Sequence, residues 1–528
     1  MPFLSLSASR LLRPGPLLAA LVAIAMNAAS AADVRLIELD RAQALRPVDR
    51  FFDQAVGADF PGTTGRPDTL AQLATAVDEL GFRQVRFHAI FHDVLGTVRV
   101  VDGRTVYDFS GIDRLYDSLL ARHIRPLVEL GFSPASMASS PQTIFYWKGN
   151  TSHPDPAAWR ALVDAFARHL IQKYGAAEVR GWPFEVWNEP NLAGFWEGAD
   201  QKAYFELYAD TARTLKKVDA GLRVGGPSTA GADWVVPFLA YAKAHDVPVD
   251  FVTTHTYGVD GGFLDENGVE DRKLSASPDA IVGDVRRVRE QIGASHLPGL
   301  PLYITEWSTS YNPRDLVHDS YISAAYILAK LHATRGLAQA MSYWTFTDLF
   351  EEPGPPPTPF HGGFGLMTRE GLRKPAFFAY KYLHALAGND IPSRDDGVFA
   401  SADGQRTAAV IWDWQQPEQK VSNRSFFGKP VPATPARPVQ LRIAHVAAGH
   451  YRLRVHRTGY RANDAFTAWL DMGKPDSLDT DQLRKLTALT ADTPQFDSFV
   501  TPDADGIVKT SLDMRSNDVV LVTLDPAP

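Results

Sequence analysis

Two glutamates in this chain stand where a strand-like run gives way to a loop. Glu189 lies in Gly181-Trp-Pro-Phe-Glu-Val-Trp-Asn-Glu-Pro-Asn191, and Glu306 lies near the end of Leu302-Tyr-Ile-Thr-Glu-Trp307. Phe184, Val186 and Trp187 read as buried strand. Pro190 cannot donate to a sheet ladder, so the strand must stop about there and present Asn188 and Glu189 at its carboxyl end. Trp182, Trp187 and Trp196 surround this stretch, and aromatic walls with a few polar groups suit the face of a sugar ring. Two carboxyl groups facing each other across such a cleft can split a glycosidic bond, one protonated toward the leaving oxygen and the other ionised at the anomeric carbon, provided that their environments separate their pKa values. A separation of about 5–5.5 Å makes the second acid a nucleophile, whereas about 6.5–9.5 Å leaves room for water and inversion.

The elements that would bring these acids together alternate along the chain. Strand-like runs fall at 52–58, 85–88, 124–130, 182–188, 222–226, 251–257, 302–307 and 341–347, with stretches of helical period at 69–80, 156–173, 203–217, 278–292 and 321–333 between them. Eight βα units predict an α/β fold, a closed (β/α)₈ TIM barrel. An open doubly wound sheet alternates in the same way, but no glycine-rich phosphate loop follows any of the strands. Glu189 and Glu306 end the fourth and seventh runs, 306 − 189 = 117 residues apart. In a closed ring both strand ends open onto one cavity.

After a helix at 375–386 the pattern changes to short runs at 407–413, 439–446, 450–455 and 518–524 separated by turn residues. This predicts an all-β, sandwich-like accessory domain. The run 34–39, ahead of the first barrel strand, is also strand-like and is expected to join that domain. The resulting division is a leader at 1–31, an N-terminal segment at 32–48, the barrel at 49–388 and the accessory domain at 389–528.

Composition narrows the function classes. A chain of 528 residues with 45% hydrophobic and 11% aromatic residues is globular, and long enough for a barrel plus one further domain. Arg10 and Arg13 precede an apolar run at 17–26, and Ala29-Ser30-Ala31 supplies small residues for cleavage, the pattern of a secretory signal peptide. That run is roughly half of what a bilayer span needs, so integral membrane association is not expected. Periplasmic or secreted location is. Losing 1–31 removes two arginines and no acids, taking the formal charge from −8 to −10, which disfavours nucleic acid as a partner. There are no cysteines, which excludes disulfides, thiol catalysis and thiolate metal sites.

The segment 182–191 resembles the signature of glycoside hydrolase family 39, particularly its bacterial β-xylosidases. The likeness extends through Phe145-Tyr-Trp-Lys-Gly-Asn150, Gly225-Gly-Pro-Ser228, His255-Thr-Tyr257, Thr305-Glu306, Ser342-Tyr-Trp-Thr-Phe346, Phe350-Glu-Glu352 and Phe360-His-Gly-Gly-Phe-Gly365, covering about 50–388. The resemblance implies a retaining enzyme with Glu189 as acid/base and Glu306 as nucleophile. It implies sugar contacts from His88, Asn188, His255, Tyr257, Trp344 and Glu352, with Tyr257 also bonded to the nucleophile. Glu351 is read as the solvated neighbour of Glu352, and Glu129, His92 and Asp93 as supporting groups near strand ends. Pro353-Gly-Pro-Pro-Pro-Thr-Pro359 is read as a stiff rim loop. Trp307, where those β-xylosidases often carry Tyr, and the proline-rich loop are departures that could reshape the entrance. Neither a metal nor an organic cofactor is implied.

The first expectation is therefore an exported exo-β-1,4-xylosidase acting on short xylo-oligosaccharides. Two alternatives stand beside it. One is a family 39 hydrolase of another glycoside, α-L-iduronidase-like or acting on exopolysaccharide, which Arg or Lys clustered at the sugar pocket would favour. The other is a carbohydrate-binding protein without turnover, whose simplest sign would be loss of either acid; both are present.

Overall fold

The computed structural model describes residues 34–264 and 268–527; the expected leader at 1–31 lies outside them. Eight strands form the barrel: Val56–Gly57, Gln84–Phe87, Arg125–Leu130, Pro183–Val186, Arg223–Thr229, Phe251–Tyr257, Leu302–Ser308 and Ala340–Tyr343. Each pairs in parallel with the next, and the eighth closes on the first. The strands are apolar on both faces because one face meets the barrel interior and the other meets helices. Pro183–Val186, for instance, is buried at every residue.

The helices follow from ordinary signals. Pro156–Tyr174 starts at Asp155, whose side chain accepts from the Ala158 N–H, with Pro156 in the first turn. It buries Trp159, Leu162, Val163, Phe166 and Leu170, an i, i+3, i+4, i+7 stripe against the sheet. In the first strand Gly57 has a specific purpose: a Cβ there would lie 2.1 Å from the Trp344 ring, so only glycine lets the eighth strand carry that tryptophan across the barrel mouth.

Beyond the barrel, a seven-stranded sheet and a three-stranded sheet enclose a second core that includes Ile37, Leu39, Ile411, Leu441, Ile443 and Val522. Arg35–Asp40 is an edge of the smaller sheet, parallel to Val439–Ala444. Two helices, Ala465–Asp471 and Thr480–Leu489, are added to the sheets. The second opens with a capping box between Asp479 and Gln482, a signal that is present in the sequence although the strand-like runs around it dominate. Phe399 and Trp412 of the larger sheet pack on His332 of a barrel helix, so the two cores meet.

Ile37 is completely buried in the smaller sheet. Ile37→Ala should lower stability by about 2–5 kcal/mol in urea unfolding followed by tryptophan fluorescence. A loss below about 0.5 kcal/mol would show that the N-terminal strand is not an integral part of that core.

Candidate active site

At the carboxyl ends of the barrel strands a cavity of about 630 Å³ opens, lined among others by His88, Asn188, Glu189, Tyr257, Glu306 and Trp344. Glu352 and Pro353 of the loop after the eighth strand also line it. One carboxylate oxygen from each of Glu189 and Glu306 and a ring nitrogen of His255 all lie within 4.8 Å of one another.

Glu189 reaches this place through a sharply turned backbone. The fourth strand ends at Val186, and Trp187 and Glu189 take positive φ values of 68° and 44°. Such conformations persist in non-glycine residues only where the surroundings hold them. Here the Trp187 N–H donates to Leu130 O, the Glu189 N–H donates to Ser228 O at 2.8 Å, and the Asn191 amide bonds both backbone groups of Ala230. Burial pushes the Glu189 carboxyl up to about 7, partly offset by the charges of His88 and Arg86.

Glu306 is held differently. Arg86 Nη1 donates to its Oε1 at 2.7 Å and the Tyr257 hydroxyl donates to its Oε2 at 2.6 Å. These are the surroundings that a carboxylate anion requires. Arg86 also donates to Glu185 and to Asn188 Oδ1 at 2.8 Å, forms an ion pair with Glu129 at 2.9 Å, and is completely buried. Its bond to Asn188 leaves the Asn188 amide NH₂ to face the cavity. Glu185 in turn accepts from Thr305, and although burial favours its neutral form, the Arg86 charge holds its pKa below the usual range.

His88 lies 2.8 Å from Glu129 through Nδ1 and 3.3 Å from Glu352 through Nε2. Burial opposes its charge, but Glu129, with Glu352 and Glu306, more than compensates and raises its pKa well above the ordinary value. Burial also pushes Glu352 up to about 8, against the pull of His88. Trp344 packs against His88 with ring centroids 4.8 Å apart.

Several expected placements are corrected. His255 is on the correct face but one layer too deep: it precedes Tyr257 by two residues, and a strand advances roughly 6.6 Å over that interval. It is absent from the cavity wall, fully buried, and bonded through Nδ1 to Glu189 at 2.8 Å. It therefore bonds the acid from beneath the cavity wall, and burial pushes its pKa down to about 4. Trp182, Trp187 and Trp196 are core residues, not walls. Phe145, Phe195, Tyr311 and Phe364 provide the aromatic surface with Trp344. Trp307 is also completely buried, facing away from the cavity because it alternates with Glu306.

Glu351 is not a free solvated acid, since Arg66 grips it with both terminal nitrogens. His92 and Asp93 lie away from the carboxylates: His92 bonds the Trp147 carbonyl and the Val94 N–H, and Asp93 accepts from the Ala135 N–H. The proline-rich segment is a rim loop, tied down through its carbonyls by Arg314 and Arg369.

Arg86 and Glu185 are the groups that the sequence reading missed. The signal was available: both are charged residues inside apolar strand runs, and such residues are almost never fully buried unless paired. Arg86→Met should leave three buried carboxyl groups without their cation. We expect a stability loss of about 3–5 kcal/mol in thermal or chemical unfolding. An unchanged unfolding midpoint would remove Arg86 from the framework of the site.

A family model for glycosyl hydrolases family 39 matches residues 35–509. A β-xylosidase from Geobacillus stearothermophilus is 35% identical over 480 residues, covering 89% of this chain and 92% of that protein. Among solved structures, the GH39 enzyme from Xanthomonas axonopodis pv. citri is 64% identical, with a TM-score of 0.93 over 94% of this chain and 98% of that one. A monomeric β-xylosidase from Caulobacter crescentus CB15 is 62% identical, with a TM-score of 0.92 over 94% of this chain and all of the other. With two carboxylates converging on one cavity and a family match over most of its length, the chain belongs to glycosyl hydrolases family 39 and is a glycoside hydrolase.

Proposed function

We propose that this enzyme is a β-xylosidase that releases xylose from the ends of short β-1,4-xylo-oligosaccharides by double displacement. The observation that carries the mechanism is the approach of Glu189 and Glu306 within 4.8 Å, closer than an inverting pair with an intervening water. In this reading Glu306, oriented by Arg86 and Tyr257, attacks the anomeric carbon. Glu189, neutral below about pH 7 because of its burial, gives its proton to the leaving oxygen. Water then enters, Glu189 takes its proton, and the glycosyl–Glu306 ester is cleaved. The Asn188 amide, fixed by Arg86, donates to the 2-hydroxyl, where a hydrogen bond strengthens as positive charge develops on the sugar. His88 and Glu352 bind further hydroxyls, and Trp344 supports the apolar face of the ring.

Substrate class rests on the cavity wall. Among the described residues no Lys or Arg lines it, and Arg86 is spent on carboxylates beneath it, which favours a neutral sugar over a uronate. The β-xylosidases among the relatives support a xyloside. A pocket of about 630 Å³ suits a short oligosaccharide rather than a polymer threaded through an open groove.

Purified enzyme should hydrolyse aryl β-xylosides, and no release would sink the substrate assignment. Glu306→Ala should abolish turnover. Glu189→Ala should retain slow glycosylation by activated aryl xylosides and regain turnover with azide, giving a β-xylosyl azide, whereas wild type should not respond; the reverse pattern would exchange the two roles. Because Glu189 must carry a proton to act as the acid, kcat/KM should fall as pH rises through about 7. Glu189→Gln should lack that alkaline limb, and a limb that survives the substitution would assign the ionisation to another group.

A further inference from the structure

The loops that shape one side of the cavity are fastened by a residue of the accessory domain. The hairpin Val259–Leu264 with Glu270–Leu274 follows the sixth barrel strand directly after Tyr257, and the loop after the seventh strand carries Tyr311 and Asp315. Tyr311 lines the cavity, meets Tyr257 edge-on at 6.2 Å, and is covered on its other side by the Arg272 guanidinium at 4.6 Å. These two loops are joined by Asn423, from the short helix Asn423–Phe427. Its Nδ2 donates to Asp315 Oδ2 at 2.7 Å, and its Oδ1 accepts from the Leu274 N–H at 3.0 Å and from Gln419 Nε2 at 2.6 Å.

Asn423 is completely buried, Asp315 and Leu274 almost so. Asp315 reaches on: it accepts from the Val317 N–H, bonds the Ser310 side chain, and its own N–H donates to Gly362 O. Ser310 is the immediate neighbour of Tyr311. The next residue of the short helix, Arg424, donates its N–H to Asp271 on the same hairpin. A polar side chain buried this deeply, with both ends of its amide committed to two different catalytic-face loops, specifies a geometry more than it adds to a core.

We propose that Asn423 is a positioning residue of the active site: it ties the hairpin after the sixth barrel strand to the loop after the seventh, and so holds Tyr311 against Tyr257 and Tyr257 against Glu306. The accessory domain thereby supplies a brace for the cavity wall in addition to packing on the barrel. The inference rests on the proposed glycosidase reading only for its assay, and any aryl glycoside that the wild type hydrolyses serves.

The test exploits the asymmetry of the Asn–Asp pair. Asn423→Asp sets two carboxyl groups against each other, while the double variant Asn423→Asp with Asp315→Asn reverses donor and acceptor and restores the bond. The single variant, assayed at a temperature where it is folded, should show KM raised by about five-fold or more, and the double variant should return to within about two-fold of wild type. If the single variant unfolds at a lower temperature but keeps wild-type kcat and KM, Asn423 is a packing residue and the proposal is overturned. Failure of the double variant to recover KM overturns it equally. Should Asn423→Asp not fold, Gln419→Leu removes one donor to the same Asn423 oxygen from a half-buried position. A KM unchanged in that variant would then overturn it. Wild type inactive on aryl xylosides but active on another aryl glycoside would sink the xyloside assignment and leave this test intact.

Discussion

One buried guanidinium holds the site together. Arg86 touches Glu185, Glu129, Asn188 and Glu306, side chains from three other barrel strands or their ends. Burying a charge is costly unless it is paired and hydrogen-bonded, and a planar fork with five donors is the side chain that can satisfy several carboxylates at once. The interaction works in both directions. The carboxylates make the buried cation tolerable, and the cation allows several acids to crowd into a space where like charges would otherwise force protons onto them or drive them apart. The orientation of Asn188, the fixed position of Glu306 and the spacing of the two acids all follow from it.

Above that layer the environments diverge. Glu306 receives donors on both oxygens, whereas Glu189 is bonded to the His255 ring and is raised to about 7 by burial. His255 lies between them, 2.8 Å from Glu189 and 3.7 Å from Glu306, and is kept neutral near physiological pH by its burial. Two side chains of one type thus receive different surroundings, donors on both oxygens for Glu306 and burial for Glu189. The surroundings come from elements far apart in the chain: the second, fourth, sixth and seventh strands, the rim loop, and the Asn423 brace from the accessory domain.

Much of this was legible without coordinates. The sixth strand has the limits that its apolar run suggests, and the fourth, fifth and seventh differ only at their ends. Strands buried on both faces write themselves as continuous apolar runs, and helices packed on them as 3.6-residue stripes. Glu189, Glu306, Asn188, Tyr257, His88 and Trp344 reach the cavity because each sits at or near a strand end, and Glu352 reaches it from the loop after the eighth strand. Depth was harder to read. His255 and Tyr257 share a face, so period-two alternation cannot say which of them is at the surface of the cavity and which is beneath it. The tryptophans around Glu189 look like walls in one dimension but fill the space between sheet and helices in three.

Local sequence determined which residues could do chemistry and which face of each strand they share, because backbone periodicity and strand-ending residues act over a few positions. It also determined the order of the barrel, since short alternating elements leave few ways to close. Only the tertiary structure decided what each acid is for. That depends on the distance between Glu189 and Glu306, on Arg86 reaching one and not the other, and on the burial that raises one pKa. These are relations between groups separated by scores or hundreds of residues, and Coulomb and desolvation energies depend on positions in space rather than on order along the chain.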